Sequence, residues 1–189
     1  MTDINVTPEV DARFRAAAVD SGLVDVAYDL VDTPLGALLV AATQAGVCRI
    51  SYDPEPEREV ELLARILGTR VLRAPKPVDE PRRQLDEYFE HRRREFDLDL
   101  DLRLSAEFSR RVLEELAKVP YGETTTYGEL ATRAARPRAA RAVGTVMNRN
   151  PIPIVLPCHR VVGRNGSLVG YGGGLERKEA LLRLEGALL

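Results

Sequence analysis

The pattern of apolar residues changes period part-way along the chain, and this constrains the fold more than any other feature. From Val24 to Tyr52 the sequence is strand-like. VDVAYDLVDT and GALLVAAT flank Pro34-Leu35-Gly36, which reads as a hairpin with a short loop, and GVCRISY reads as a third strand. A helix is expected over Glu57–Leu67. Pro75 and Pro77 then break the chain before a second helix, Asp79–His91, with Leu85, Tyr88 and Phe89 on its inner face. HRRRE reads as its solvated end, and FDLDLDLRL alternates strictly, as a half-buried strand does. From Ser105 the spacing becomes helical: Phe108, Val112, Leu113 and Leu116 define an amphipathic helix over Ser105–Lys118, with Ser105 as its cap. The expected organisation is a polar, Ala-rich, partly helical extension over 1–22, an α/β domain with a small antiparallel sheet over 23–102, and a second domain over 103–189.

Composition narrows the function classes. Of 189 residues, 44% are hydrophobic and 30% charged, which excludes a disordered chain. No apolar run approaches the roughly 18 residues of a membrane helix. MTDINVTPEVDARF has neither a basic start nor an apolar core, so no secretory signal is expected. Two cysteines, Cys48 and Cys158, exclude a disulfide scaffold and fit a reducing cytoplasm. Cys48, inside the third strand, reads as a small buried hydrophobe. His91 and His159 are too few for a conventional structural zinc site, and no metal is expected.

Charge is divided unevenly. Residues 1–102 carry 13 Lys and Arg against 21 Asp and Glu, a net of −8; residues 103–189 carry 14 against 8, a net of +6. Between Leu130 and Leu175 lie Arg133, Arg136, Arg138, Arg141, Arg149, Arg160 and Arg164 with no acidic residue. A one-signed window of this kind is the footprint of a phosphate-binding surface. Within it, Thr126-Tyr127-Gly128-Glu129 matches a capping box that starts a short helix, Tyr127–Ala135, and Pro137 suits the first position of another reaching Asn148. Two short helices joined by a tight turn make a helix-turn-helix. On the second, Ala139, Ala142, Val143, Val146 and Met147 form the apolar stripe, and Arg138, Arg141, Thr145 and Asn148 lie opposite.

Pro151-Ile152-Pro153-Ile154-Val155-Leu156-Pro157-Cys158-His159-Arg160-Val161 carries the chemistry. Ile154–Leu156 reads as a buried strand that Pro157 ends, which leaves Cys158 held rigidly at its tip. An adjacent His and flanking arginines favour a thiolate. Neighbouring residues on a regular strand face opposite ways, so Cys158 and His159 cooperate only if the chain turns at Cys158 or a water bridges them. The last helix, Leu175–Gly186, places Glu185 where its apolar pattern asks for a hydrophobe, in position to orient His159. Gly170-Tyr171-Gly172-Gly173-Gly174 allows close backbone approach to a flat pocket. A cysteine hydrolase uses the same Cys-His-carboxylate set, and a regulator without chemistry uses the same helix-turn-helix; both readings stay open on these residues alone.

Pro157-Cys158-His159-Arg160-Val161, preceded by Asn150-Pro151 and by Ala139-Ala140-Arg141-Ala142-Val143-Gly144, resembles the O6-alkylguanine-DNA alkyltransferase family over residues 24–189. The resemblance implies a ribonuclease-H-like α/β domain followed by a winged-helix-like DNA-binding domain. It implies Cys158 as alkyl acceptor, His159 as base through a bound water, and Glu185 holding His159. Tyr127 would donate a proton to guanine N3 and Asn150 would brace the active-site turn. Arg141 would be the finger that replaces a flipped base, with Arg138, Ala139, Ala140 and Thr145 along the DNA. Tyr171, Gly172, Gly173 and Met147 would line the base pocket. The zinc ligands of some members have no counterpart here. Relatives with Trp at the acceptor position lack the thiol, whereas this chain has Cys158. The implied partner is double-stranded DNA containing O6-alkylguanine, with no cofactor, no membrane and a monomeric protein.

Overall fold

Residues 7–188 are described from a computed structural model. Helix α1 (Pro8–Asp20) gives the extension more order than its composition demands; its first turn is capped by the Thr7 side chain. Strands β1 (Val26–Thr33) and β2 (Gly36–Thr43) form the expected hairpin around Pro34-Leu35, in a register that sets Ala27 against Ala42 and Thr33 against Gly36. Strand β3 (Gly46–Tyr52) pairs antiparallel with β2 across a bulge at Ala41/Ala42. Helix α2 (Pro56–Leu67) follows, then β4 (Val71–Arg73), which lies parallel to β1. The sheet order is therefore β3-β2-β1-β4, and it is mixed rather than purely antiparallel. Three residues are too few for β4 to announce itself by alternation.

Period-two burial gives the sheet two working faces. Leu39, Ala41 and Cys48 pack with Leu63 and Leu67 of α2, while Leu38, Val40 and Ile50 face the rest of the molecule. Helix α3 (Asp79–Phe89) lays Leu85 and Tyr88 into that second core, two residues shorter than expected because His91 takes φ 60°. FDLDLDLRL does not form a ladder. Phe96, Leu98, Leu100 and Leu102 do pack on the core, so the alternation is real. Pairing is limited to one bridge, Leu100 to Val47, before a 3₁₀ turn at Leu102–Leu104. The bridge is made by the Val47 amide on the Asp99 carbonyl and the Asp101 amide on the Val47 carbonyl, each at 2.8 Å, and the approach beside it requires glycine: a Cβ on Gly46 would stand 2.1 Å from the Asp99 carbonyl oxygen. That 3₁₀ turn also absorbs Ser105. Helix α4 (Glu107–Ala117) starts later, with Ala106 at its cap position and no side-chain cap.

Thr126 and Glu129 form the reciprocal capping box, and α5 (Tyr127–Arg133) begins where the sequence pattern places it. Helix α6 (Ala140–Asn148) starts three residues after Pro137, which sits in a turn closed by the Ala139 amide on the Arg136 carbonyl. Its buried face is Val143, Val146 and Met147; Ala142 is exposed, outside the stripe assigned to it. Short strands β5 (Thr125–Thr126) and β6 (Val161–Val162) pair in parallel beside the helix pair. Helix α7 (Leu175–Leu184) ends one residue before Glu185, which serves as its C-cap, ahead of Gly186 at φ 73°. Leu113, Leu116, Leu130 and Ile152 join the sheet's Leu38 and Ile50 in one continuous core, each burial contributing about 1.5–3 kcal/mol. No helix among the described residues is long and apolar enough to cross a membrane.

Candidate active site

The segment Asn150–Arg160 is a compact turn rather than a strand and its end. Ile154 stands at φ 73°, a backbone conformation that strains a β-branched residue. Side-chain hydrogen bonds hold it. Asn150 donates from Nδ2 to the Leu156 carbonyl at 2.8 Å and accepts from the Ile152 amide at 3.1 Å. The Ile50 amide of β3 donates to the Pro151 carbonyl at 2.8 Å, so the turn docks on the free edge of the sheet. Pro157 then leads into a 3₁₀ turn, Cys158–Arg160, and the chain turns at the cysteine as the chemistry requires.

Cys158, His159, Arg160 and Glu185 are all buried. Glu185 Oε1 lies 3.0 Å from His159 Nε2, 2.8 Å from Arg160 Nη2 and 2.6 Å from the Tyr88 hydroxyl, while Oε2 accepts from Arg160 Nε at 2.8 Å. These donors hold the carboxyl ionised despite burial, with its pKa lowered to about 2. An ionised acceptor fixes the imidazole proton on Nε2. Nδ1 is left with a free lone pair, and it is a buried side-chain polar atom without a hydrogen-bond partner among the described residues. Burial lowers the His159 pKa and keeps the ring neutral, able to accept a proton.

The sulfur differs from expectation. Burial pushes the Cys158 thiol up to about 11, so the resting group is a thiol. Asn150, Lys178 and Tyr171 favour the ionised form. The arginines do not: Arg160 is engaged by Glu185 and the Val119 carbonyl. The positive charge near the sulfur is the buried Lys178 ammonium, which donates to the carbonyls of Val161 at 2.5 Å and Val169 at 3.0 Å. Its own pKa is lowered to about 8 by burial. Lys178 was legible as a lysine on the apolar stripe of α7 with Leu181, Leu182 and Glu185, and Tyr88 only as a core residue.

A half-open cavity of about 150 Å³ reaches Cys158 and is lined by Met147, Asn150, Tyr171, Gly172 and Gly173, with Tyr52 from β3. The glycine loop comes close to its surroundings: a Cβ on Gly172 would stand 3.2 Å from the Asn148 carbonyl oxygen. Tyr127 does not line this cavity but borders it, near enough for the Cys158 charge to act on its hydroxyl. It lines a neighbouring depression with Arg133 and Arg164, and its hydroxyl donates to the Val169 carbonyl at 3.0 Å. Burial raises its pKa, so the phenol keeps its proton. Arg138 and Arg141 are exposed around the start of α6 and Thr145 is exposed in its second half, with Ala139 and Ala140 half-buried. Met147, two turns on, touches the cavity, so one helix connects the arginine-bearing surface to Cys158. Among the described residues no cluster of three His, Cys, Asp or Glu is arranged to hold a metal ion.

Residues 26–102 match the family model for the 6-O-methylguanine DNA methyltransferase ribonuclease-like domain, and residues 107–187 match that for its DNA binding domain. A methylated-DNA–protein-cysteine methyltransferase of Mycolicibacterium paratuberculosis is 43% identical over 85% of this chain and 92% of its own length. One from Methanosarcina barkeri is 40% identical over 84% and 96%. The crystal structure of Mycobacterium tuberculosis OGT in complex with DNA superposes with a TM-score of 0.75 at 40% identity, covering 85% of this chain and 93% of that one. With both family models and full-length relatives matched, the chain belongs to the methylated-DNA–protein-cysteine methyltransferase family.

Proposed function

We propose that this protein repairs O6-alkylguanine in double-stranded DNA by transferring the alkyl group to Cys158 in a single, irreversible event. The observation that carries the reading is the placement of Cys158 at a cavity, next in the chain to a buried imidazole whose Nε2 is engaged by Glu185 and whose Nδ1 has no direct hydrogen-bond partner among the described residues. Nδ1 takes the thiol proton through a bound water. Sγ attacks the alkyl carbon in line, the S–C bond forms, the C–O6 bond breaks, and its electron pair stays on the base. Tyr127 releases its hydrogen bond to Val169 and supplies a proton to guanine N3, so that the base departs neutral. The proton lost by sulfur balances the one gained by guanine, and no cofactor is consumed.

The alkylated oxygen lies inside the duplex, so the nucleotide must be extruded, at a cost of a few kcal/mol. Arg141 fills the gap, with Arg138, Ala139, Ala140 and Thr145 along the groove; Tyr171, Gly172, Gly173 and Met147 receive the base. The thioether has no carbonyl for water to attack, which makes the reaction stoichiometric. Chemistry that depends on a free thiol calls for a reducing compartment, and we place the protein in the cytoplasm.

Duplex DNA carrying isotopically labelled O6-methylguanine tests this. Label should pass to protein up to one equivalent and then stop. Continued turnover would favour a hydrolase, and unmodified protein bound to the DNA would favour a regulator without chemistry.

A further inference from the structure

Tyr52 closes β3 and reaches from the N-terminal sheet to the Cys158 cavity. Its hydroxyl lies 2.8 Å from that of Tyr171, and the two rings meet edge-on at 6.1 Å. A Cβ on Gly173 would stand 2.7 Å from two Tyr52 ring atoms, so the ring lies directly on the glycine loop. Its other flank is also held. The Arg177 guanidinium sits 5.0 Å from the ring centroid and ties the carbonyls of Gly173 and Leu35, each at 3.1 Å, to the Asp53 carboxylate at 2.7 Å. Tyr52 is therefore a fixed wall, and it comes from a different part of the chain than the turn that bears the nucleophile.

Size makes this wall matter. About 150 Å³ is roughly the space that one benzene ring occupies in a protein cavity. A purine fills it and extends outward, which leaves little room beside Sγ for a substituent larger than methyl. The wall formed by Asn150 and Pro153 offers no relief, because both are buried in the strained turn.

We propose that Tyr52 is a specificity-determining residue, the side chain by which the N-terminal sheet limits the size of alkyl group that reaches Cys158. This rests on Cys158 being the acceptor. The test compares full-length wild type, Tyr52→Phe and Tyr52→Leu on duplexes carrying O6-methylguanine or O6-benzylguanine, following the alkylated protein by intact mass. The benzyl-to-methyl rate ratio should rise roughly tenfold or more in Tyr52→Leu, which opens the wall. It should rise about threefold in Tyr52→Phe, which keeps the ring but frees Tyr171. A rise beyond about twofold in either variant supports the proposal, so Tyr52→Phe suffices if Tyr52→Leu does not fold. A ratio unchanged in every variant that folds overturns it. Wild-type protein that takes up no methyl group would overturn the acceptor reading as well.

Discussion

Cys158→Ala is expected to abolish alkyl transfer while leaving duplex binding within about threefold of wild type, since only phosphate and groove contacts set that affinity. The other cysteine cannot substitute. Cys48 is buried on the α2 side of the sheet, its thiol lies 3.4 Å from the Ala41 carbonyl oxygen, and burial pushes it up to about 12. Losing one sulfur atom costs the fold little, about 1 kcal/mol. The arginines at the start of α6 are exposed on the surface, whereas Cys158 is buried. Label counting and fluorescence anisotropy on the same oligonucleotide separate the two effects. Parallel loss of transfer and binding would mean that the sulfur has a structural role instead. The wild-type rate should also depend on pH. The Cys158 thiol is raised to about 11, so the thiolate fraction grows as pH climbs above neutral and transfer accelerates. In acid, protonation of His159 removes the base and transfer falls.

The second large effect is at Glu185. Glu185→Ala should destabilise the protein by about 3–5 kcal/mol, because it strands the buried Arg160 guanidinium without its partner. Against a total stability of roughly 5–15 kcal/mol, that is severe. Transfer in the folded fraction should fall roughly a hundredfold, as the imidazole loses the group that fixes its tautomer. Denaturant titration and single-turnover kinetics measure the two losses. The sign of the pH dependence follows from the lowered pKa. Glu185 is depressed in the fold from its ordinary 4.5 to about 2, so its stabilising contribution is fully present above pH 4.5 and disappears as pH falls toward 2. At about 1.4 kcal/mol per tenfold in proton affinity, the contribution is about 3 kcal/mol. The wild type should lose stability steeply across that window, and Glu185→Gln should lack that part of the acid limb. An identical acid limb in the variant would show that Glu185 is not the ionised hub of the site.

Reading the chain residue by residue recovers those parts of the fold whose signals are local. The hairpin at Pro34-Leu35, β3 and the Thr126 capping box are encoded within a few residues, and each stands where the pattern puts it. Elements decided by distant backbone escaped. The 96–104 segment alternates like a strand, but it meets β3 in one bridge, Leu100 to Val47, and then turns into the 3₁₀ segment. Pro151–Pro157 looks extended because its prolines forbid a helix; the tight turn it forms depends on Asn150 reaching across to Leu156. Among the residues expected at the site, His159 and Glu185 meet at 3.0 Å, and Cys158, Asn150, Met147, Tyr171, Gly172 and Gly173 line the cavity. Tyr127 does not line it. Tyr88 and Tyr52 were illegible as site residues because their partners, Glu185 and Tyr171, lie 97 and 119 positions away. No local pattern connects such pairs.

Peptide mapping of the full-length protein after incubation with a slight excess of O6-methylguanine duplex is the most direct test of the mechanism. One added methyl group should appear on the peptide containing Cys158, at one equivalent per chain, while the Cys48 peptide stays unmodified. Methyl groups found on any other peptide, or an unmodified Cys158 peptide beside DNA whose lesion has gone, would contradict it.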